Sequence, residues 1–281
     1  MKQSEKQLAY KLVVSDFDGT LVNEDGSILE STKQTINAYR KDGGKFAIST
    51  GRLPEAIIHR AQELGLKGAV SCCQGAVIMD IESKEVLFSD TIPNKTAVKI
   101  AKKMEALGLH IHAYDLWEYY CNMDDEALKF YKKATGTTPN LVLDKPISKL
   151  LEEKGIGVYK MMVMVEPQDV PWVFEILEKE NFEGCTVTKS GDFLVEVINA
   201  NYSKGTAISF LANYYGVPVE NTIAVGDQWN DIPMIEAAGL GAAVANADNK
   251  LKAAADVVLN ATNEQGAVGE VITRFAYQKE D

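Results

Sequence analysis

This sequence has few cysteines, few prolines and fewer basic than acidic residues, and each shortage argues against a class of protein. Four of the 281 residues are cysteines, Cys72, Cys73, Cys121 and Cys185. None has the C-x-x-C or Cys/His spacing of a zinc or redox motif, so we expect reduced thiols. Only eight prolines and a 46% share of apolar residues favour a folded chain over a disordered one.

Lysine and arginine are outnumbered 29 to 40 by aspartate and glutamate, which gives a formal net charge of -11. Surfaces that bind nucleic acid or anionic membranes need clustered cations, so we expect neither partner. A small phosphorylated metabolite remains possible only if a local cation, such as a metal ion or a lysine, attracts it. The sequence gives no indication of oligomeric state.

Long apolar runs are missing as well. No stretch approaches the roughly 18 residues that a membrane-spanning helix needs. Residues 1–10 are polar and lack the apolar centre of a secretion signal. We therefore expect a soluble, cytoplasmic protein.

Strands and helices alternate at both ends of the chain. The pattern predicts strands at 11–15 and 45–49, a helix at 32–41 between them, and later a helix at 204–215 before a strand at 222–225. Such alternation predicts an α/β fold, with a Rossmann-like, doubly wound parallel sheet. Ligands of such sheets bind beyond the carboxyl ends of the strands.

The middle of the chain has a different pattern. Between about 91 and 199, neighbouring strand candidates and hairpins are mixed with helices, which is typical of an antiparallel α+β unit. We predict a first core segment at 1–90, an inserted α+β cap domain at 91–199 and a second core segment at 200–281.

Four short clusters follow predicted core strands or begin core helices. They are Asp16-Phe17-Asp18-Gly19-Thr20-Leu21, Ser49-Thr50-Gly51-Arg52, Lys204-Gly205, and Gly226-Asp227 through Asn230-Asp231. Each cluster alone is also compatible with a helix cap, a turn or a solvated helix residue.

Together, the clusters favour a metal site. Asp16, Asp18, Asp227 and Asp231 would crowd carboxylates into one crevice, which is unfavourable unless a cation neutralises them. A few hard oxygen ligands suit Mg²⁺, which also accepts a phosphate oxygen.

A phosphoryl group at that cation needs donors for its other oxygens. The clusters supply a hydroxyl, backbone amides, an ammonium and a side-chain amide, from Thr50, Gly51, Lys204 and Asn230. The two carboxylates of the first cluster can divide the work of nucleophile and acid/base.

The motif order D-x-D-G-T-L, S-T-G-R, K-G and G-D-x-x-N-D resembles that of the haloacid dehalogenase (HAD) superfamily, in its Cof-type phosphatase subfamily with an α/β cap. The resemblance covers nearly the whole chain. It implies a Mg²⁺-dependent phosphatase that forms an aspartyl-phosphate. Where the family often has Asn-Gly-Ala, this sequence has Gln74-Gly75-Ala76.

The resemblance also implies a role for each site residue. Asp16 would attack phosphorus, and Asp18 would protonate the leaving oxygen and then activate water. Mg²⁺ would be held by Asp16, the backbone carbonyl of Asp18, and Asp227, while Asp231 would orient Lys204 or metal-bound water from behind. The phosphate would be bound by a further set: Thr50, Gly51, Lys204, Asn230 and the backbone amide of Phe17.

We predict hydrolysis of phosphate monoesters of small metabolites, either sugar phosphates or phosphorylated cofactors. A sugar-phosphate phosphotransferase or mutase would use the same motifs. A non-catalytic phosphate-binding regulator would be expected to lack Asp16 or Asp18, and both are present.

Two features of the predicted cap are less specific. His110 and His112 would share one face of a strand, but no third ligand lies at a suitable spacing, so we favour ordinary strand positions over a metal site. Substrate contacts are predicted near strand ends and turns, although each candidate is equally compatible with a surface or core position: Trp117, Tyr119, Tyr120, Lys189, Asp192 and Glu196.

Overall fold

The computed structural model describes residues 7–278. Its strands are β1 (Leu12–Ser15), β2 (Lys45–Ile48), β3 (Ala69–Cys72), β4 (Val77–Asp80), β5 (Val86–Ser89), β6 (His110–Tyr114), β7 (Tyr119–Cys121), β8 (Asn140–Leu141), β9 (Lys160–Met164), β10 (Cys185–Gly191), β11 (Leu194–Asn199), β12 (Thr222–Gly226), β13 (Leu240–Ala243) and β14 (Val257–Val258). Its α-helices are α1 (Glu30–Lys41), α2 (Pro54–Glu63), α3 (Asn94–Ala106), α4 (Glu126–Thr135), α5 (Ile147–Lys154), α6 (Val170–Lys179), α7 (Lys204–Tyr215), α8 (Ile232–Ala237), α9 (Asn249–Ala254) and α10 (Ala267–Phe275). Among these, no helix has both the length and the apolar character needed to cross a membrane.

The described chain divides into two compact units. Unit 1 runs to Thr50, resumes over Ala61–Ser71 and again from Lys204 onward. Unit 2 comprises Gly51–Arg60 and Cys72–Ser203. The domain boundaries at 90 and 199 stay a prediction.

Unit 1 is built on a five-stranded sheet in the order β14-β13-β12-β1-β2, with every pair parallel. Leu12, Val13 and Val14 of β1 are fully buried, as expected for a parallel strand covered on both faces. Helix α1 packs against α10, while α7 packs against α8, β1 and β12. The predicted α/β core is confirmed.

Unit 2 contains a six-stranded sheet in the order β10-β11-β9-β6-β7-β8. All pairs are antiparallel except β7 with β8. Alternate residues such as Ile111, Val163 and Val197 join a core with residues of α3, α5 and α6. The α+β character predicted for the middle of the chain is confirmed.

The opposite face of this sheet is buried but polar. The register places His112 of β6 beside Met162 of β9, and Met162 beside Glu196 of β11. His112, Lys160 and Glu196 are all at most 2% exposed. Buried polar groups are stable only when hydrogen-bonded or paired, so this face needs a network of partners.

Three short elements were not predicted from the sequence. They are α5, β8 and α9, and none is longer than eight residues. Helix α9 begins where the Asp248 side chain accepts a hydrogen bond from the N–H of Lys250. This cap starts the helix locally, and the helix is too short to show an apolar pattern in the sequence.

Candidate active site

Three loops of unit 1 leave the same edge of the parallel sheet. Asp16 follows β1, and its N–H donates to the Val225 carbonyl of β12 at 2.9 Å. Asp227 follows β12, and Thr50 follows β2 by two residues. Because β1 lies between β12 and β2, the carboxyl ends of the three strands are neighbours, as expected from the predicted parallel sheet.

Lys204 is the first residue of α7 and is 1% exposed. Its Nζ lies 2.5 Å from Asp16 Oδ1 and 2.6 Å from Asp231 Oδ1. Burial alone would lower the pKa of Lys204, but the two carboxylates outweigh it and raise the pKa above its usual value. The ammonium therefore stays charged and joins two residues that are far apart in the chain.

Gly205 explains how this lysine reaches the carboxylates. A Cβ at Gly205 would lie 2.5 Å from the carbonyl oxygen of Pro233 in α8. Only a residue without a side chain lets α7 begin so close to α8. Lys204 thus supplies the ammonium, and Gly205 permits the close packing of α7 on α8 that brings this ammonium to the carboxylates.

Asp231 is held rigidly from both sides. Its Oδ1 accepts from Lys204, and its Oδ2 accepts from the N–H groups of Asp227 and Gln228 at 2.9 and 3.0 Å. Both oxygens are thus committed to protein donors, which fits the supporting position implied by the family resemblance. Its role in catalysis stays a prediction.

Asp227 is fixed by the first loop. Thr20 Oγ1 donates to Asp227 Oδ1 at 2.8 Å. Gly19 has φ of +71°, and a Cβ there would overlap the other oxygen of Asp227, Oδ2. The glycine of D-x-D-G is therefore required twice, by its left-handed backbone and by the close approach of the carboxylate.

Gly19→Ala is expected to lower kcat/KM at least about tenfold and to destabilise the fold by about 1–3 kcal/mol, because it adds strain and displaces Asp227. Gly43→Ala is the matched control, since Gly43 also has positive φ (+95°) but open space around its Cβ position. Urea unfolding should show a lower free energy of unfolding for both variants. The value of kcat/KM should fall for Gly19→Ala alone. Equal activity of the two variants would contradict this account.

The carboxylates raise one another's proton affinity. Burial, followed by the charge of Asp231, raises the pKa of Asp16 to about 7, although Lys204 opposes the shift. Burial and the charges of Asp16 and Asp231 likewise raise the pKa of Asp227. The site therefore carries more negative charge than its own lysine neutralises.

This donor set fits Mg²⁺. Ligand oxygens of Asp16, Asp227 and Asp231 lie within 4.8 Å of one another. Asp231 is committed to other donors, whereas Asp16 and Asp227 each use only one oxygen in the bonds described above. Two hard carboxylate oxygens and a negative surplus suit Mg²⁺, which retains water and binds phosphate oxygens.

The metal-free protein is expected to lose stability as pH rises from 3.8 to about 7. Asp16 binds its proton more tightly in the folded than in the unfolded state, so ionisation over this window favours unfolding. Urea titrations in EDTA should therefore show a steeper fall for wild type than for Asp16→Asn, and saturating Mg²⁺ should flatten the wild-type curve. If the stability of wild type and of Asp16→Asn changed equally with pH in EDTA, the raised pKa of Asp16 would be refuted.

The other predicted residues are placed less specifically. Phe17 and Thr50 are buried, Asn230 is 9% exposed in a single 3-10 turn, and the Asp18 side chain is exposed. Gly51 falls in unit 2, where a Cβ would lie 2.5 Å from Gln74 Nε2. Their contacts with a phosphate stay predictions.

In unit 2, Glu196 belongs to a buried network. It accepts from Lys160 at 2.9 Å, from Ser190 at 2.6 Å and from Gln74 at 2.8 Å. Lys160 was not predicted as a site residue, although a lysine in an otherwise apolar strand is a signal that it needs a buried partner. Gln74, in a left-handed backbone with φ of +62°, uses its long amide to reach this network.

The remaining cap candidates differ in exposure. Tyr119 is buried and stacks on Tyr114, with ring centroids 5.2 Å apart, and Tyr120 belongs to the hydrophobic core. Trp117 is 43% exposed, and Asp192 is also exposed. Packing thus accounts for the two tyrosines, while substrate contact stays a prediction for all of the candidates.

Comparison with known proteins gives a consistent assignment. A family model described as haloacid dehalogenase-like hydrolase matches residues 13–272. A putative phosphatase of Haemophilus influenzae is 29% identical over 267 residues, which are 92% of this chain and 96% of the relative. The Escherichia coli pyridoxal phosphate phosphatase YbhA is 29% identical over 264 residues, 89% of this chain and 93% of the relative.

Solved structures agree with the sequence comparisons. A haloacid dehalogenase-like hydrolase from B. subtilis matches with a TM-score of 0.82 and 26% identity, over 94% of this chain and 99% of that one. The motifs, the parallel core and the extended matches all point the same way. The chain therefore belongs to the haloacid dehalogenase-like hydrolase family and is a phosphatase.

Proposed function

We propose that this phosphatase hydrolyses phosphate monoesters of small metabolites, with Asp16 as the nucleophile and Mg²⁺ as the cofactor. The observation that carries the proposal is the buried ammonium of Lys204, which holds Asp16 Oδ1 at 2.5 Å and Asp231 Oδ1 at 2.6 Å. A carboxylate restrained by a hydrogen bond can present one oxygen to a phosphorus atom along one defined line, while its other oxygen is available to a metal ion.

The chain's own residues prepare the attack. Lys204 restrains the Asp16 carboxylate and offsets part of the negative charge that an incoming phosphoryl group adds. Attack by Asp16 forms an O–P bond while the bond to the leaving oxygen breaks, which gives an aspartyl-phosphate. Mg²⁺ bound by Asp16, Asp227 and the carbonyl of Asp18 would supply Lewis-acid neutralisation of phosphoryl oxygens.

Asp18 moves the protons. Its side chain is exposed and lies two residues beyond the nucleophile. We assign it donation of a proton to the leaving oxygen, followed by removal of a proton from the water that attacks the aspartyl-phosphate. The second step releases phosphate and restores the Asp16 carboxylate.

Four further contacts would position the phosphate during both steps. The Thr50 hydroxyl, the amides of Phe17 and Gly51 and the Asn230 side chain would donate to its oxygens. Asp231 would act indirectly, by keeping Lys204 in place and by accepting from the Asp227 N–H.

The net charge of the chain and its similarity to a known phosphatase indicate the substrate class. With a chain net charge of -11, attraction must come from the site itself, which favours small phosphate esters over polyanions. The similarity to a pyridoxal phosphate phosphatase supports phosphorylated cofactors, beside sugar phosphates, as substrates to test. We also propose that these substrates are met in the cytoplasm.

Phosphate release from a panel of sugar, nucleotide and cofactor monophosphates tests the proposal. We expect turnover with Mg²⁺ and none with EDTA, and reversal of the EDTA effect by added Mg²⁺. If the enzyme released no free phosphate but formed an isomerised sugar phosphate, its activity would be that of a mutase and not of a hydrolase. Undiminished phosphate release in EDTA would overturn the proposed cofactor.

A further inference from the structure

A second cluster of metal-binding side chains lies in unit 2. His110 and His112 share one face of β6, and Cys121 of β7 lies directly opposite His112 in the strand register. His110 Nε2 is 3.0 Å from His112 Nε2 and 3.1 Å from Cys121 Sγ. All three side chains are at most 5% exposed. The atoms that ligate transition metals thus converge on one buried point.

The outer nitrogens of both rings have partners. His110 Nδ1 lies 2.9 Å from Asp125 Oδ2, and His112 Nδ1 lies 3.2 Å from the Tyr114 hydroxyl. An ionised carboxylate only accepts, so His110 carries a proton on Nδ1 and, when neutral, presents a lone pair at Nε2. A carboxylate behind a histidine is the arrangement that orients ligating imidazoles in metal sites.

The dimensions are those of a nearly formed site. With metal–nitrogen bonds of roughly 2.0–2.1 Å and metal–sulfur bonds of roughly 2.3 Å, ligand atoms around a tetrahedral zinc ion are about 3.3–3.6 Å apart. The two distances from His110 Nε2 are shorter than these by about half an ångström or less, and all three atoms lie within 4.8 Å of one another. Side-chain rotation can supply such a shift. Binding of an ion through Cys121 Sγ would release the thiol proton to solvent.

We propose that His110, His112 and Cys121 form a binding site for a Zn²⁺-like transition-metal ion, independent of the Mg²⁺ site. Imidazole and thiolate ligands select such ions over Mg²⁺, which prefers oxygen. Bound there, the ion would link β6 to β7 and, through Asp125, fix the start of α4. We assign it a stabilising role in unit 2.

An entry path lies next to the cluster. A cleft of about 530 Å³ is lined by residues of unit 2 that include His110, Met123 and Asp125. Among residues 7–278, the cluster itself offers three ligand atoms, so water from this cleft would complete a tetrahedral coordination.

Metal binding to the untagged, full-length protein tests this site. After removal of metals by chelation, Zn²⁺ uptake is measured by equilibrium dialysis in saturating Mg²⁺, which occupies the carboxylate site. We expect one Zn²⁺ per chain, and for Co²⁺ a sulfur-to-metal charge-transfer band. Cys121→Ser should abolish that band, whereas Cys185→Ser should retain it.

Asp125→Asn is the sharpest variant. Asp125 Oδ1 also caps α4 by accepting from the Leu128 N–H, and asparagine preserves this cap. Loss of the carboxylate behind His110 should weaken Zn²⁺ binding about ten- to a hundredfold without unfolding the protein. His59→Gln, on the exposed face of α2, should bind Zn²⁺ as wild type does.

Three results would overturn the site. They are absence of Zn²⁺ uptake by wild type, wild-type uptake by both Cys121→Ser and His112→Gln, and loss of uptake in Asp16→Asn. If the ligand variants fail to fold, as judged by circular dichroism, wild-type affinity in the folded Asp125→Asn variant would still contradict the proposal.

Discussion

Asp16→Asn is expected to lower kcat by at least about 10³-fold, because the amide cannot form an aspartyl-phosphate. The substitution keeps the shape of a residue that is 5% exposed, and its amide oxygen can still accept from Lys204. It also removes a carboxyl group whose pKa is raised to about 7 by burial and then by the charge of Asp231. The fold should therefore survive while the chemistry fails.

The measurement is kcat for the best substrate of the phosphate-release panel, with Mg²⁺ present. Asp144→Asn is the control, since Asp144 is an exposed aspartate of unit 2, and it should retain wild-type kcat. Circular dichroism should show both variants folded. An Asp16→Asn enzyme within tenfold of wild type would exclude Asp16 as the nucleophile.

Lys204→Met is expected to have the second-largest effect, on stability as well as activity. Removing one partner of a buried ion pair costs about 3–5 kcal/mol, because the remaining charges lose their compensation. Here two carboxylates lose their shared ammonium. We expect kcat to fall at least about a hundredfold, since Asp16 is no longer restrained.

A second substitution separates the two effects. In Lys204→Met/Asp231→Asn, the asparagine oxygen can still accept from the Asp227 and Gln228 N–H groups, while one uncompensated charge is gone. Urea unfolding should recover part of the lost free energy, with no recovery of kcat. Lys41→Met, at an exposed position of α1, should change neither quantity. Stability of Lys204→Met equal to wild type would contradict the buried ion-pair network.

The α/β core and the position of its acidic loops at one sheet edge were predictable because their signals are local. An apolar pattern predicts the strand 11–15 and the helix 204–215. A chemically specific cluster marks the acidic loop after Ser15. Parallel topology then brings such loops to one edge. The predicted helix 204–215 matches α7 at both ends.

The second cluster could not be found from spacing. His110 and His112 are two residues apart, but Cys121 comes from the next strand, and only the β6–β7 register places it opposite His112. The same holds for Lys160 and Glu196, which pair across sheet strands. Long-range register, rather than local pattern, determines these contacts.

The most direct test of the central claim is to look for the covalent intermediate. Wild-type enzyme is mixed with its best substrate and Mg²⁺, quenched in acid during turnover, and analysed by peptide mass spectrometry. We expect one added phosphoryl group on the peptide that carries Asp16, and none in Asp16→Asn or in the absence of substrate. Phosphate release during turnover, with no phosphoryl group trapped on Asp16 at any quench time, would contradict it.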